Sequence, residues 1–135
     1  MNDLPTAEFA FPGQLRDSLV ASILSGTKTA TTSLLREYRM GIEPLPVAGL
    51  RQGVVDSTGT VVGVIETESV EVVRLAEVTP KHARDEGEGH TTVAQWRRAH
   101  EKFWHSEDMR GDLGDPEFTV DDDTQVVLER FRLVR

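Results

Sequence analysis

The stretch GVVDSTGTVVGVIETESVEVVRL, residues 53–75, decides the fold, because it predicts two antiparallel strands joined by a tight turn. Ser-Thr-Gly-Thr at 57–60 supplies the glycine of a hairpin turn, and residues 61–75 predict one long or bulged strand. The periodicity and end signals of the remaining chain predict helices at 14–25, 34–40, 79–86 and 92–106 and a last strand at 124–134. A loop is expected around Gly111, Gly114 and Pro116. This order favours the α+β class and a small, partly closed β-barrel flanked by helices.

Length and composition predict one domain. The 135 residues are 38% hydrophobic and 28% charged, contain no cysteine and carry a net charge of −8. This length supports a single core, and we expect one domain over 1–135, with 1–9 as a loose N-terminal extension. Neither a signal peptide nor a membrane span is visible, and the lack of cysteine excludes disulfides and thiolate sites. We therefore expect a cytoplasmic protein without a membrane partner.

The negative net charge limits the kinds of ligand that the chain is expected to bind. Nonspecific binding to a nucleic-acid backbone depends on clustered lysine and arginine, so an acidic chain is not expected to bind long duplex DNA. A small basic pocket on an acidic surface remains compatible with the composition. A nucleotide or a short single strand is therefore the favoured partner, and no oligomeric state is predicted.

Residues 25–33, Ser-Gly-Thr-Lys-Thr-Ala-Thr-Thr-Ser, place Lys28 among hydroxyl side chains directly after the first predicted helix. Gly26 is suited to end that helix in a left-handed conformation and to bring the backbone close to a ligand. A lysine beside threonine hydroxyls can bind a phosphate, polarise a carbonyl or act as a base. The alternative is a solvated lysine at the start of a polar strand.

Three further groups of residues could take part in catalysis or ligand binding. Residues 86–90, Glu-Gly-Glu-Gly-His, offer two carboxylates and an imidazole, or simply a surface loop between helices. Glu66 and Glu129 lie on apolar faces of strands, where a carboxylate needs a partner such as Lys28 or an arginine; for Glu129 we favour a structural role. We expect His100 to be a core histidine, and no histidine spacing indicates a metal site.

Taken together, the motifs resemble those of the ASCH-domain family, in its longer bacterial subgroup. The resemblance extends from about residue 10 to the end of the chain and rests on Gly26-Thr-Lys-Thr-Ala-Thr-Thr-Ser-Leu-Leu35, Glu43-Pro-Leu-Pro-Val-Ala-Gly49, Val64-Ile-Glu-Thr-Glu68, Glu86-Gly-Glu-Gly-His-Thr-Thr-Val-Ala-Gln-Trp-Arg97, His100, Phe103 and Val127-Leu-Glu-Arg-Phe131. It implies a β-barrel similar to the PUA fold, with the Gly-x-Lys motif at a cleft near the barrel mouth. It also implies RNA or nucleoside ligands.

The resemblance implies two activities. Some members are ribonucleases on single-stranded RNA supported by a divalent metal, so Mg²⁺ or Mn²⁺ is the candidate cofactor. Smaller members are amidohydrolases that deacylate N4-acylated cytidines with a lysine, a threonine three residues later and a glutamate, which match Lys28, Thr31 and Glu86 here. The arginine that typically follows the threonine is missing, since this chain reads Thr-Ser-Leu at 32–34.

We expect a ribonuclease first, with an amidohydrolase and a binding module without catalysis as alternatives. Lys28, Thr31 and Glu86 are the expected catalytic residues. An amidohydrolase would use all three, whereas a ribonuclease would use Lys28 to stabilise charge on a phosphate and Glu86 as a base or, through water, as a metal ligand. The residues expected to contact the ligand are Gly26, Thr29, Ser33, Arg36, Glu66 and Glu88.

Overall fold

The computed structural model describes residues 4–41 and 44–135, and side chains at 39–41 are not considered. Five strands form one sheet: β1 Thr6–Ala7, β2 Ala30–Leu34, β3 Arg51–Val55, β4 Val61–Arg74 and β5 Gln125–Val134. The helices are α1 Gln14–Leu24, α2 Leu35–Gly41, α3 Pro80–Asp85, α4 Val93–Trp104 and α5 Glu107–Leu113, with a short 3₁₀ turn at Leu75–Glu77. No helix among these described segments is both long and apolar enough to cross a bilayer.

The hairpin predicted at 53–75 is confirmed and forms the centre of the sheet. The strand order is β1-β3-β4-β5-β2, in which β1 pairs with β3 in parallel and the other pairs are antiparallel. Register shifts occur between Val54 and Val55 and between Thr67 and Ser69. Such bulges bend strands and increase their twist. The α+β class, with helices flanking a strongly curved sheet, is thus confirmed.

Two apolar clusters hold the helices against the sheet. Val20 and Ile23 of α1 pack with Ile65 and Phe131 of the sheet. A larger cluster joins α3, α4 and α5 to β2 and β5, and its principal members are Leu34, Leu75, Trp96, Trp104, Met109, Leu113, Val126 and Leu128. The two tryptophans are almost completely buried, so they contribute to the core. The site therefore lies between elements that are fixed by packing on both sides.

The N-terminal segment is not loose throughout. Thr6 and Ala7 pair with Gly53 and Val54, and Ala7 and Phe9 are buried. Arg16 also donates hydrogen bonds to the backbone carbonyls of Phe9 and Ala10. When this segment pairs with β3 as an edge strand, the apolar side chains of Ala7 and Phe9 become buried, which stabilises the pairing. The expectation of a loose extension is wrong for this part, while residues 1–3, like Ile42 and Glu43, lie outside the described residues.

The loop expected before the last strand contains a helix that the sequence pattern did not predict. Ser106 caps α5 by accepting a hydrogen bond from the Met109 amide at 3.1 Å. Gly114 ends it in the left-handed region, at φ 68°, and Gly111 is tolerated inside it. Met109 and Leu113 are buried against the core, so tertiary packing stabilises a segment whose glycines suggested a loop.

Candidate functional site

Lys28 follows helix α1 and has a buried side chain, only 1% exposed. Its Nζ donates to the carbonyl oxygen of Ala30 at 2.9 Å, to the carbonyl oxygen of Glu86 at 3.3 Å and to Glu88 Oε2 at 3.5 Å. The Glu86 carboxylate lies 3.7 Å away. Three N–H donors therefore meet three acceptors in fixed directions. The solvated-lysine alternative is wrong, because this side chain is enclosed.

Glu86 lies directly after helix α3, and its two carboxyl oxygens face four donors. Oε2 accepts from Thr32 Oγ1 at 2.5 Å and lies 3.1 Å from His82 Nε2, while Oε1 lies 3.1 Å from His100 Nε2 and 3.7 Å from Lys28 Nζ. Burial acts to raise the pKa of Glu86. The hydrogen bonds from His100 and His82 and the charge of Lys28 outweigh burial and hold that pKa well below its usual range. Glu86 is therefore an ionised anchor for the cluster.

His100 is fixed on helix α4 by contacts on both ring nitrogens. Nδ1 lies 2.9 Å from the Trp96 carbonyl oxygen and Nε2 lies 3.1 Å from Glu86 Oε1. The ring stacks on Trp96, with centroids 4.2 Å apart. Both nitrogens thus face oxygen acceptors, an arrangement that the imidazolium satisfies with two N–H donors. Burial lowers the pKa of His100, but the bond and charge of Glu86 outweigh it and leave the pKa raised.

We expect the His100 contribution to stability to decrease as the pH rises above 6.5, the ordinary pKa of histidine. Because its folded pKa is raised above 6.5, the contribution is complete below about pH 6.5 and disappears as the pH rises through the folded value. Urea unfolding of the wild type and of His100→Gln between pH 5 and pH 9 measures it, and the difference between them should shrink as the pH rises. A constant difference over this range would contradict a charged His100.

Glu88 lies beside Lys28 and is the more accessible of the two carboxyls in the segment at 86–90. Its side chain is 22% exposed, against 1% for Glu86. Burial raises the pKa of Glu88, Lys28 partly offsets this, and the negative charge of Glu86 adds to the rise. Glu88 is therefore better suited than Glu86 to accept and release a proton.

These side chains line one cavity of about 410 Å³. Residues from both edge strands, β1 and β2, contribute to its wall, so the sheet curls around it. Five glutamates line it among the described residues: Glu8, Glu37, Glu86, Glu88 and Glu129. The apolar part of the wall comes mainly from Phe9, Leu15, Leu19, Leu50, Ile65 and Phe103. The cavity is thus part apolar and part acidic, with Lys28 and His100 as its described basic side chains.

The structure brings the three expected catalytic residues to this cavity. Lys28, Thr31 and Glu86 line it, as do Ser33 and Glu88 of the expected ligand-contacting set. Thr31 forms no side-chain hydrogen bond with any residue in the described part of the chain. Its hydroxyl therefore remains available to a ligand or a water molecule.

Gly26 and Thr29 are close to Lys28 in sequence but do not line the cavity. Gly26 ends α1 as expected, at φ 85°, and its amide donates to the Ile23 carbonyl oxygen. The Thr29 hydroxyl lies 3.4 Å from the Asp85 carbonyl oxygen, to which it donates. Both residues therefore have structural roles where α1 ends and the chain leads into β2. They were expected to contact the ligand, but neither lies in the cavity wall.

Arg36 and Glu66 also lie away from the cavity. Arg36 pairs with Asp115 at 3.1 Å and lies over the Phe118 ring. Glu66 pairs with Arg51 at 2.9 Å and with Arg132 at 3.3 Å. The strand alternation turns the neighbours of Glu66, Ile65 and Thr67, inward. The expected inward position of Glu66 is therefore wrong.

Four residues that the sequence did not place in the site are part of it. His82 and Thr32 contact Glu86, and the spacing of four between His82 and Glu86 on a helix was a usable signal. His100 is half-buried, with 12% of its side chain exposed, and it lines the cavity in addition to packing on Trp96. Glu129 lines the cavity without a basic partner among the described residues, so the expected lysine or arginine partner is absent there.

The candidate divalent cation does not fit this cluster. Ligand atoms of Glu86, Glu88 and His100 lie within 4.8 Å of one another, which is compatible in distance with a metal. However, Lys28 Nζ already lies between the two carboxyls, and both oxygens of Glu86 already face hydrogen-bond donors. A divalent ion would meet the ammonium charge at close range. The residues present therefore do not suit a divalent cation.

Comparison with known proteins agrees with this architecture. The ASCH domain model matches residues 7–135. An ASCH domain from Lactobacillus crispatus is 28% identical, with a TM-score of 0.81 over 96% of this chain and 79% of that one. A protein from Enterococcus faecalis is 27% identical, with a TM-score of 0.83 over 99% and 78%.

A mutant ASCH protein from Zymomonas mobilis is 16% identical, with a TM-score of 0.50 over 87% of this chain and 67% of that one, and shows a similarity of fold alone. No curated protein matches the sequence. The curved sheet flanked by helices is accordingly the PUA-like barrel that the sequence motifs implied. The chain belongs to the ASCH-domain family, a family associated with RNA binding.

Proposed function

We propose that this chain is an amidohydrolase acting on a small N-acylated nucleoside of the N4-acylcytidine type. The observation that supports it most is the buried Lys28–Glu86 pair in the wall of a cavity that is part apolar and part acidic. The cavity volume of about 410 Å³ falls in the range of roughly 300–1,000 Å³ that is typical of small-molecule sites. An uncharged nucleoside avoids the repulsion that a phosphate backbone would meet from the carboxylates.

The contacts suggest a role for each catalytic residue. The contact with Glu88, at 3.5 Å, is the longest of the three hydrogen bonds of Lys28 Nζ. When Glu88 takes up a proton, the N–H that faced it turns to the acyl oxygen and stabilises the negative charge that develops there. The unbonded Thr31 hydroxyl orients the attacking water, and Glu88 accepts the proton of that water. The water oxygen bonds to the acyl carbon, the C–N bond breaks, and the amine nitrogen takes the proton from Glu88. The products are a carboxylic acid and the free amino nucleoside.

Hydrolysis of N4-acetylcytidine, followed by chromatography of cytidine, tests the proposal. We expect turnover by the wild type and a fall in kcat/KM of at least about 100-fold in Lys28→Ala, since one oxyanion donor contributes this much. Thr31→Val is a second variant that disturbs no described hydrogen bond, and we expect a similar loss. Lys102→Ala removes an exposed lysine of α4 and should leave the rate unchanged.

A ribonuclease on single-stranded RNA, the function favoured by the sequence, is the second candidate. One contact favours it: Glu88 lies 3.5 Å from Lys28 Nζ, and this pair offers a base for a ribose hydroxyl and a cation for the phosphate. Labelled single-stranded RNA, with and without EDTA, should be tested in parallel. RNA cleavage that is lost in Lys28→Ala, without deacylation, would overturn the amidohydrolase. A nucleoside that raises the melting temperature without any turnover would instead support a binding module.

A further inference from the structure

Glu129 is a buried carboxyl that the proposed reaction does not use. The residue is 7% exposed. Its Oε2 accepts a hydrogen bond from Thr67 Oγ1 at 2.7 Å. Burial raises the pKa of Glu129, only the Thr67 bond opposes this, and no charged side chain of the described residues contributes. A buried polar group without a charged partner is costly to keep, which suggests that a ligand completes its contacts.

The position of Glu129 connects it to the reacting groups. Glu129 and Thr31 are directly opposed across the β2–β5 pair, and both line the cavity. Opposed side chains in an antiparallel pair have Cβ atoms about 4.5–5.5 Å apart. A nucleoside whose acyl group lies at Thr31 would therefore have the adjacent edge of its base within reach of Glu129.

The second carboxyl oxygen of Glu129 is the atom that faces this ligand. Oε1 has no hydrogen bond to a described residue. Among the described residues, the fully buried side-chain polar atom that lacks a partner is Trp96 Nε1, so Glu129 Oε1 is not fully buried. Oε1 is therefore accessible from the cavity, which the residue lines. Its lone pairs attract an N–H donor and repel a carbonyl oxygen.

We propose that Glu129 is the specificity-determining residue that accepts a hydrogen bond from the N4–H of the base and discriminates against a 4-oxo group. This inference rests on the proposed nucleoside function. The N4–H is present in cytidine and in its N4-acylated form, whereas uridine has an oxygen at that position. Glu129 contacts the base and takes no part in bond cleavage.

Binding of cytidine and of uridine, each measured by titration calorimetry, tests the inference without requiring turnover. We expect the wild type to bind cytidine at least about tenfold more tightly, as one hydrogen bond to a charged or buried group can provide. In Glu129→Gln the amide can rotate to face either base, so the ratio should fall to about one. Glu37→Gln is the matched control, because its half-buried carboxyl lines the same cavity but already accepts the Leu34 amide at 2.8 Å; the preference should persist.

Each outcome decides the inference. Equal binding of the two nucleosides by the wild type, or binding of neither, would overturn it without any variant. A preference that survives in folded Glu129→Gln would overturn it as well. If that variant does not fold, Thr67→Val removes the hydroxyl that orients Glu129, and an unchanged preference there would count against the inference. The proposed function fails separately, when cytidine is preferred but N4-acetylcytidine is not hydrolysed.

Discussion

Replacing Glu86 by glutamine is expected to lower the free energy of unfolding by about 3–5 kcal/mol, the usual cost of breaking a buried ion pair on one side. The carboxylate lies among donors from Thr32, His82, His100 and Lys28. The new amide group has the same shape but presents two N–H donors where an oxygen accepted before. Lys28 would then be a buried cation, and His100 a half-buried one, without their main counter-ion.

The loss should depend on pH in a defined direction. The folded pKa of Glu86 is held well below the ordinary value of 4.5. The stability that its charge contributes is therefore complete above about pH 4.5 and is lost as the pH falls through the folded value. Urea unfolding at pH 7 and at several acidic values measures both effects. The difference between wild type and Glu86→Gln should be largest between about pH 4.5 and pH 6.5, where the contributions of the Glu86 and His100 charges are both complete.

Glu101→Gln is the matched control for this experiment. Glu101 pairs with Arg97 at 2.8 Å on helix α4, but its side chain is 33% exposed. Surface ion pairs typically contribute about 0–1 kcal/mol to the free energy of unfolding, so this variant should lose little stability. A loss below about 1 kcal/mol for Glu86→Gln, equal to that of the control, would show that the buried cluster does not stabilise the fold.

Local patterns predicted most of the secondary structure, because helix and strand periodicity depend on neighbouring residues. The hairpin, α1 and α3 follow from such signals. Helix α5 did not, because its stability comes from burying Met109 and Leu113 rather than from its own composition. Edge strand β1 was missed for a similar reason, since two paired residues are too few to give a pattern.

The site could be predicted only where residue type and motif agreed. Lys28 and Glu86 are 58 residues apart, and the family resemblance, not periodicity, connected them before the structure did. The strand pattern could not say which of Glu66 and Glu129 faces inward, because both alternate with apolar residues. The arginines on neighbouring strands decide it, since Arg51 and Arg132 hold Glu66 outside. Cross-strand partners of this kind depend on register, which the sequence did not provide.

Replacing Gly87 by alanine is expected to be strongly destabilising and to inactivate the site. A Cβ on Gly87 would lie 2.7 Å from the Thr27 carbonyl oxygen and 2.9 Å from Lys28 Cα. These are backbone atoms, so no side-chain rotation relieves the overlap. The 86–90 segment must instead move away from Lys28, which weakens the contact of 3.3 Å between Lys28 Nζ and the Glu86 carbonyl oxygen. We expect the loss of kcat/KM to accompany the loss of stability.

Gly89→Ala separates the steric cost from the conformational cost. Gly87 and Gly89 both lie in the left-handed region, at φ 69° and 87°, but a Cβ on Gly89 would have no neighbour within 4 Å. The free energy of unfolding of this control should therefore fall only by about 1–2 kcal/mol, the cost of a left-handed backbone at a residue other than glycine. Overpacking adds about 1–3 kcal/mol to the loss in Gly87→Ala. Urea unfolding of the two variants beside the wild type measures the difference, and equal losses would show that the segment can move away from Lys28 at no cost.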